Sequence, residues 1–160
     1  MTAEPEIVER AAQPWVAIAG TVTMTTMLDI IDRLPEVFAF LRARGIAPAG
    51  APVFKYDHVD MAGRMDMQVG VPTPGPAEGE GDVRPGVLPA GRYLTVTHVG
   101  HPDTLVDATR DLLAWADEHG LEFDRKGDDW ASRLEIYESD PAEQPDMSKW
   151  ETALAFKLKD

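Results

Sequence analysis

Glu135 lies in the run Arg133-Leu134-Glu135-Ile136-Tyr137, where two apolar residues alternate with three polar or aromatic ones. Successive side chains on a strand face opposite ways, so Arg133, Glu135 and Tyr137 share one face. On a concave, water-poor face, desolvation raises a carboxyl pKa and equips Glu135 to act as a base or to hold a cationic ligand. On a solvated face it is an ordinary exposed glutamate paired with Arg133 or a cross-strand lysine, an interaction worth little. Tyr56 is the matching phenol earlier in the chain, and with Tyr137 it offers a flat ring and a hydroxyl that can donate to a ligand or to developing negative charge. Each tyrosine also fits an ordinary core or edge position. His58 and Asp60 follow Tyr56 on its face, opposite Lys55, Asp57 and Val59. Trp15, Trp130 and Trp150 stand at strand starts, where they can wall a site by stacking and cation–π contact. Trp115 lies on a helix stripe and reads as core.

The histidines give little metal signal. His98 and His101 have the HxxH spacing, but Val99-Gly100 between them marks a strand end and not the helical turn that aligns two ligands. His119 precedes Gly120, where a cation suits the end of a helix. The chain has no Cys, which removes thiolate nucleophiles, thiolate zinc sites and disulfides. GxSxG, GxxxxGK[ST], GxGxxG and HExxH are all absent, and Gly79-Glu80-Gly81-Asp82 carries acid where a phosphate cradle needs amide donors and Lys. No metal and no cofactor are expected. What remains is binding, or acid–base chemistry by a carboxylate and phenols on a small molecule.

The elements that must position these residues follow from the hydrophobic pattern. The 160 residues, 44% hydrophobic and 27% charged, suit one domain or two small fused halves. Fifteen basic against 28 acidic residues leave a net charge of −13, which repels phosphate backbones and disfavours direct nucleic-acid binding. The acidic start Met1-Thr2-Ala3-Glu4-Pro5-Glu6 lacks a leader signature and no apolar run spans a membrane, so a cytoplasmic setting is expected, with no membrane partner.

A strand is predicted over Trp15–Thr25, with Gly20 as a bulge or close-approach point. Ile31, Leu34, Phe38 and Leu41 mark a helix that stops at Gly45 and is either kinked at Pro35 or begins there. Val53–Asp60 and Met65–Val71 form a hairpin around Ala62-Gly63-Arg64, with Met61, Met65 and Met67 read as core. Pro72–Gly91 is too rich in Pro, Gly and acid for a helix or central strand and reads as a linker. Tyr93–Val99 is a strand. A helix capped by Asp103 or Thr104 carries Leu105, Ala108, Leu112 and Trp115 and ends at Gly120. Trp130–Glu138 and Trp150–Lys159 are strands around the loop Asp140–Pro145. The fold expected is α+β: a duplicated βαββ repeat, about 14–72 and 92–159, with antiparallel sheets related by a pseudo-two-fold axis and a central ligand cleft.

Leu88-Pro89-Ala90-Gly91-Arg92-Tyr93, His98-Val99-Gly100-His101, Leu112-Leu113-Ala114-Trp115, Leu134-Glu135-Ile136-Tyr137, Asp140-Pro141 and Trp150-Glu151-Thr152, in that order, resemble the GyrI-like effector-binding domains. Gly50-Ala51-Pro52-Val53-Phe54-Lys55-Tyr56 resembles that family's strand entry. The resemblance covers nearly the whole chain. It implies a pseudo-symmetric α+β domain with a central cleft, used as the drug-sensing part of AraC-type and MerR-type regulators and also found alone. It implies that Glu135 is the cleft carboxylate that meets lipophilic cations. Some stand-alone relatives of this kind are hydrolases that open cyclopropane electrophiles, and the founding member protects DNA gyrase. Fewer than about 15 residues precede the first predicted strand, so no helix-turn-helix is expected there, and Pro102 stands where relatives often carry an aromatic residue.

The expected function is binding of a hydrophobic, aromatic or cationic small molecule, for sensing or sequestration. The candidate ligand-binding residues are Glu135, Tyr137, Tyr56, His58, His98, Trp15, Trp130 and Trp150. The alternatives are a hydrolase in which Glu135 is the general base and Tyr56 donates a proton, and an acidic protein-interaction module acting on a DNA-handling enzyme.

Overall fold

The chain's computed structural model describes residues 4–160; Met1, Thr2 and Ala3, the start of the segment without a leader signature, lie outside them. In chain order the elements are β1 (Glu6–Arg10), β2 (Gln13–Val22), α1 (Leu28–Ile31), α2 (Leu34–Ala43), β3 (Val53–Val59), β4 (Met65–Pro72), β5 (Arg84–Leu88), β6 (Gly91–Val99), α3 (Leu105–Glu118), β7 (Arg125–Lys126), β8 (Asp129–Trp130), β9 (Arg133–Tyr137) and β10 (Glu151–Lys157). The strands form one antiparallel sheet in the order β1-β6-β10-β9-β3-β4-β2-β5, and the short β7–β8 hairpin attaches to β3 through β8.

Two connections dictate the shape of this sheet. Ala11-Ala12 joins β1 to β2, and Pro89-Ala90 joins β5 to β6, yet each pair lies six places apart in the strand order. Six strand spacings span roughly 29 Å in a flat sheet, and a two-residue link reaches about 10 Å. The sheet must therefore curl until its ends approach. Trp15, Val53, Leu88, Tyr93, Leu134, Ile136 and Ala155 fill the inside of the curl as one apolar cluster.

The helices pack on the other face. α1 and α2 cover Val16, Ile18, Phe54, Met67 and Val69, and α3 covers Leu94, Val96, Leu154 and Phe156. Tyr137 packs against both clusters, so β9 lies at the seam between the two helix-covered cores. The α+β class with antiparallel strands is as expected; the strands join in one curled sheet in place of separate sheets.

Several boundaries differ from the pattern reading, for local reasons. β2 stops at Val22 because Thr23 to Met27 turn, with the Thr23 amide donating to the Thr26 hydroxyl at 2.8 Å. Gly20 is a close-approach point: a Cβ there would stand 2.7 Å from Ile30 Cδ1. Pro35 lies in the first turn of α2, so that helix begins at the proline, while Ile31 belongs to the separate α1. The stretch read as a linker contains β5, an edge strand, where Pro85 and Gly86 are tolerated. Trp130–Glu138 divides at Ala131 and Ser132 into β8 and β9. Neither Asp103 nor Thr104 caps α3 through its side chain; the Thr104 hydroxyl donates instead to the His101 carbonyl at 2.8 Å. Met65 and Met67 are core, but Met61 is fully exposed at the hairpin turn.

Two measurements test this packing. Gly70 has so little room that a Cβ there would come 2.3 Å from the Val16 carbonyl oxygen and 2.8 Å from Trp15 Cε3. Gly70→Ala is expected to lose about 1–3 kcal/mol in urea unfolding, and an unchanged midpoint would show that the curl is looser than described.

His58 ties β3 to the β7–β8 hairpin, with Nδ1 2.7 Å from Asp129 and Nε2 3.0 Å from Asp60. These carboxylates, Asp129 first, raise its pKa above the ordinary 6.5. The stability so gained is fully present below about pH 6.5 and is lost as pH rises through the folded-state value. Thermal unfolding of the wild type should therefore lose ground to His58→Gln between pH 6 and 9; parallel curves for the two proteins would remove the ion pair from the account.

Candidate functional site

Glu135 sits opposite Phe54 on β3 and opposite Leu154 on β10. Directly opposed residues point to the same side of a sheet, so Glu135 faces the helices with the apolar residues on either side. Its Oε1 accepts two hydrogen bonds, from the Tyr56 hydroxyl at 2.8 Å and the Tyr137 hydroxyl at 2.7 Å. Tyr56 comes from the neighbouring strand two residues past Phe54, and Tyr137 from two residues along β9. The Phe54 and Tyr137 rings meet at a 4.5 Å centroid distance, closing one side of the carboxylate. Oε2 takes no hydrogen bond from a described residue and is not sealed off by them.

Burial pushes the Glu135 carboxyl above its ordinary pKa, and the two phenols and the Arg133 charge pull the other way. Burial and the adjoining carboxylate push both tyrosine hydroxyls well above 10, so they stay protonated and keep donating. The result is a carboxylate anchored by one oxygen, with the other left for a visitor. Such a group can balance a cation, accept a hydrogen bond or take a proton from water.

Glu135, Tyr56 and Tyr137 are thus brought together. Arg133, considered above only as an ion-pair partner for Glu135, forms no ion pair with any described residue; its guanidinium lies over the rings of Trp130, Phe156 and Tyr56. Trp130 belongs to the core beneath α3. Trp15 fills the inside of the curl with Val53 and Leu134, on the opposite face from Glu135, because it is one residue out of phase with Val16 and Ile18. It walls no site on the helix face. Trp150 is half-buried and donates from Nε1 to the Gln144 carbonyl at 2.7 Å.

His58 is also displaced from the tyrosine group. A bulge interrupts β3 after Tyr56, and both ring nitrogens are engaged by Asp129 and Asp60. His98 shares a row with Thr152 and Tyr137 across β6, β10 and β9. Its Nε2 lies 2.7 Å from the Thr104 hydroxyl, which itself donates to His101, and its Nδ1 is buried without a partner. His98 and His101 engage different partners, the Thr104 hydroxyl and the Asp103 amide, and no group of three His, Asp or Glu among the described residues could hold a metal ion. A surface recess of about 490 Å³, lined by residues that include Leu113, Asp117, Phe123, Arg125 and Lys159, touches none of the Glu135 group. No helix among the described residues is long and apolar enough to cross a membrane.

Comparison with known structures shows that the fold recurs in other proteins. The C-terminal domain of EcmrR shares the fold with a TM-score of 0.82 at 18% identity, each chain covered over 98%. In the complex of EcmrR with DNA, the chain spans 57% of the longer EcmrR protein. SAV2435 bound to tetraphenylphosphonium matches with a TM-score of 0.69 at 14% identity, covering 98% of this chain and 94% of that one. A hydrolase from Listeria innocua matches with a TM-score of 0.67 at 14% identity, covering 98% and 92%. The search of curated protein sequences gives no match. A family model spans residues 3–159, and the chain therefore belongs to the GyrI-like small molecule binding domains.

Proposed function

We propose that this domain binds hydrophobic aromatic molecules, lipophilic cations among them, on the floor formed by Glu135, Tyr56 and Tyr137, as a sensor or a sequestering protein. The half-tethered carboxylate carries this reading: Oε1 is held by two phenols while Oε2 is free. Two rigid donors fix the position of the charge before a ligand arrives, so little ordering cost falls on binding. The apolar surroundings that make an ionised Glu135 costly also strengthen its attraction to a cation with a weakly hydrated, aromatic shell. SAV2435, which shares the fold, binds a ligand of that chemistry.

A hydrolytic use of the same carboxylate is the second reading, favoured by the raised Glu135 pKa and the open Oε2, which suit a base that takes a proton from water. The two readings part on one variant. Glu135→Gln removes the charge and nearly keeps the shape, so calorimetric titration with tetraphenylphosphonium should show affinity reduced by about tenfold or more. Equal affinity in the two proteins would overturn the cation-holding role.

Because the cation pairs with the ionised carboxyl, wild-type affinity should fall as pH drops through the raised Glu135 pKa, and the Gln variant should lose that dependence. For the second reading, mass spectrometry of a cyclopropane electrophile incubated with each protein should find one added water only with the wild type. Recovery of unchanged compound from both leaves binding as the function.

A further inference from the structure

We propose that the floor carries an anion-binding subsite at Arg133 beside the Glu135 carboxylate, so that its preferred ligands are aromatic molecules bearing a carboxylate or similar oxyanion next to a cationic or hydrogen-bond-donating group. The proposal rests on the reading of the Glu135 floor as a small-molecule site and adds the chemical class of the ligand.

Arg133 points to the same face as Glu135. Its guanidinium carbon lies 4.9 Å from the Trp130 ring centre, 4.9 Å from that of Phe156 and 5.9 Å from that of Tyr56. Rings engage the flat faces of a guanidinium, whereas its five N–H donors point outward in the plane. None of those donors reaches an acceptor on a described residue, and no carboxylate pairs with the group. The Glu135 charge is felt by the guanidinium, but the two groups form no hydrogen bond or ion pair, and Glu135 Oε1 is held by the two tyrosines. The guanidinium donors are not sealed off by the described residues, so an incoming oxyanion can reach them and exchange their hydration for charge-assisted hydrogen bonds.

A second observation points the same way. Arg125, cross-strand from Trp130 on β7, brings another guanidinium to 4.9 Å from the same indole. It too has no carboxylate partner among the described residues. The chain holds 28 acidic residues against 15 basic ones, so acids are plentiful, and yet no described carboxylate forms an ion pair with either arginine. Side chains two apart on a strand stand about 6.6 Å from one another at the backbone. A single aromatic ring system carrying both charges spans that distance, with its oxyanion on Arg133 and its cation toward Glu135 Oε2. A ligand with only a cation meets Glu135 and Arg133 together and gains less.

Rhodamine 110, which has a free carboxylate, and rhodamine 123, its methyl ester, share one cationic xanthene ring and serve as the probes. Fluorescence anisotropy on the unmutated chain should show rhodamine 110 bound at least tenfold more tightly than the ester. In Arg133→Gln, rhodamine 110 should weaken at least tenfold while the ester is unchanged or tighter, and Arg133→Lys should keep part of the preference. Equal affinity for the two dyes on the unmutated chain, or an equal loss of both in Arg133→Gln, overturns the subsite. Binding of the ester without any gain from the carboxylate defeats this proposal alone. Failure of both dyes to bind at millimolar protein defeats the small-molecule floor and the subsite with it. Thermal unfolding of each variant confirms that it is folded, and the two-dye comparison needs no variant.

Discussion

Across six adjacent strands, one row of side chains on the helix-covered face runs Ile18, Val69, Phe54, Glu135, Leu154 and Val96. Five members are apolar, and the one carboxylate stands in the middle. Burying a charge in such a row is unfavourable unless its surroundings supply hydrogen bonds or an opposite charge. Tyr56 and Tyr137 supply the hydrogen bonds to one oxygen. The rest of the site can be understood as what is required to hold that carboxylate without neutralising it by an internal ion pair.

The curled sheet makes this possible. Short links between strands at opposite ends of the sheet bend it until its inner face closes over its own apolar cluster, leaving the outer face to the helices. The helices divide that outer face into two cores, and β9 falls at their junction. Tyr137 belongs to both cores, so its hydroxyl is fixed by packing from two directions before it reaches Glu135. A residue at such a seam is desolvated by its neighbours without being fully enclosed, which fits a raised Glu135 pKa beside a second oxygen that takes no hydrogen bond from a described residue.

Much of this was legible in the sequence, and the rest was hidden for identifiable reasons. Period-two alternation places Arg133, Glu135 and Tyr137 on one face whatever the partner strands, and helical spacing marks α2 and α3. The contact between Tyr56 and Glu135 joins residues 79 apart and depends on β3 lying beside β9, which no local pattern encodes. Trp15 looks like a possible wall because its strand is apolar on both faces, so only the register reveals that it points inward. His58 follows the alternation on paper, but the bulge after Tyr56 removes it from the group. β1 is polar on both sides and β5 carries Pro and Gly, as suits edge strands, and both escape a search for hydrophobic alternation. Arg133 was visible as a neighbour of Glu135, but its stacking on Trp130 and Phe156 arises from β8 and β10 and could not be read from spacing.

The central claim is that Glu135 is a desolvated carboxyl held by two phenols. Its most direct test is an NMR titration of the Glu135 side-chain carboxyl carbon in the ligand-free protein, repeated in Tyr137→Phe. The account predicts a midpoint above the ordinary 4.5 in the wild type, since burial outweighs the hydrogen bonds, and a further rise when one phenol that favours the ionised form is removed. A wild-type midpoint at or below 4.5 that stays put in the phenylalanine variant would contradict it.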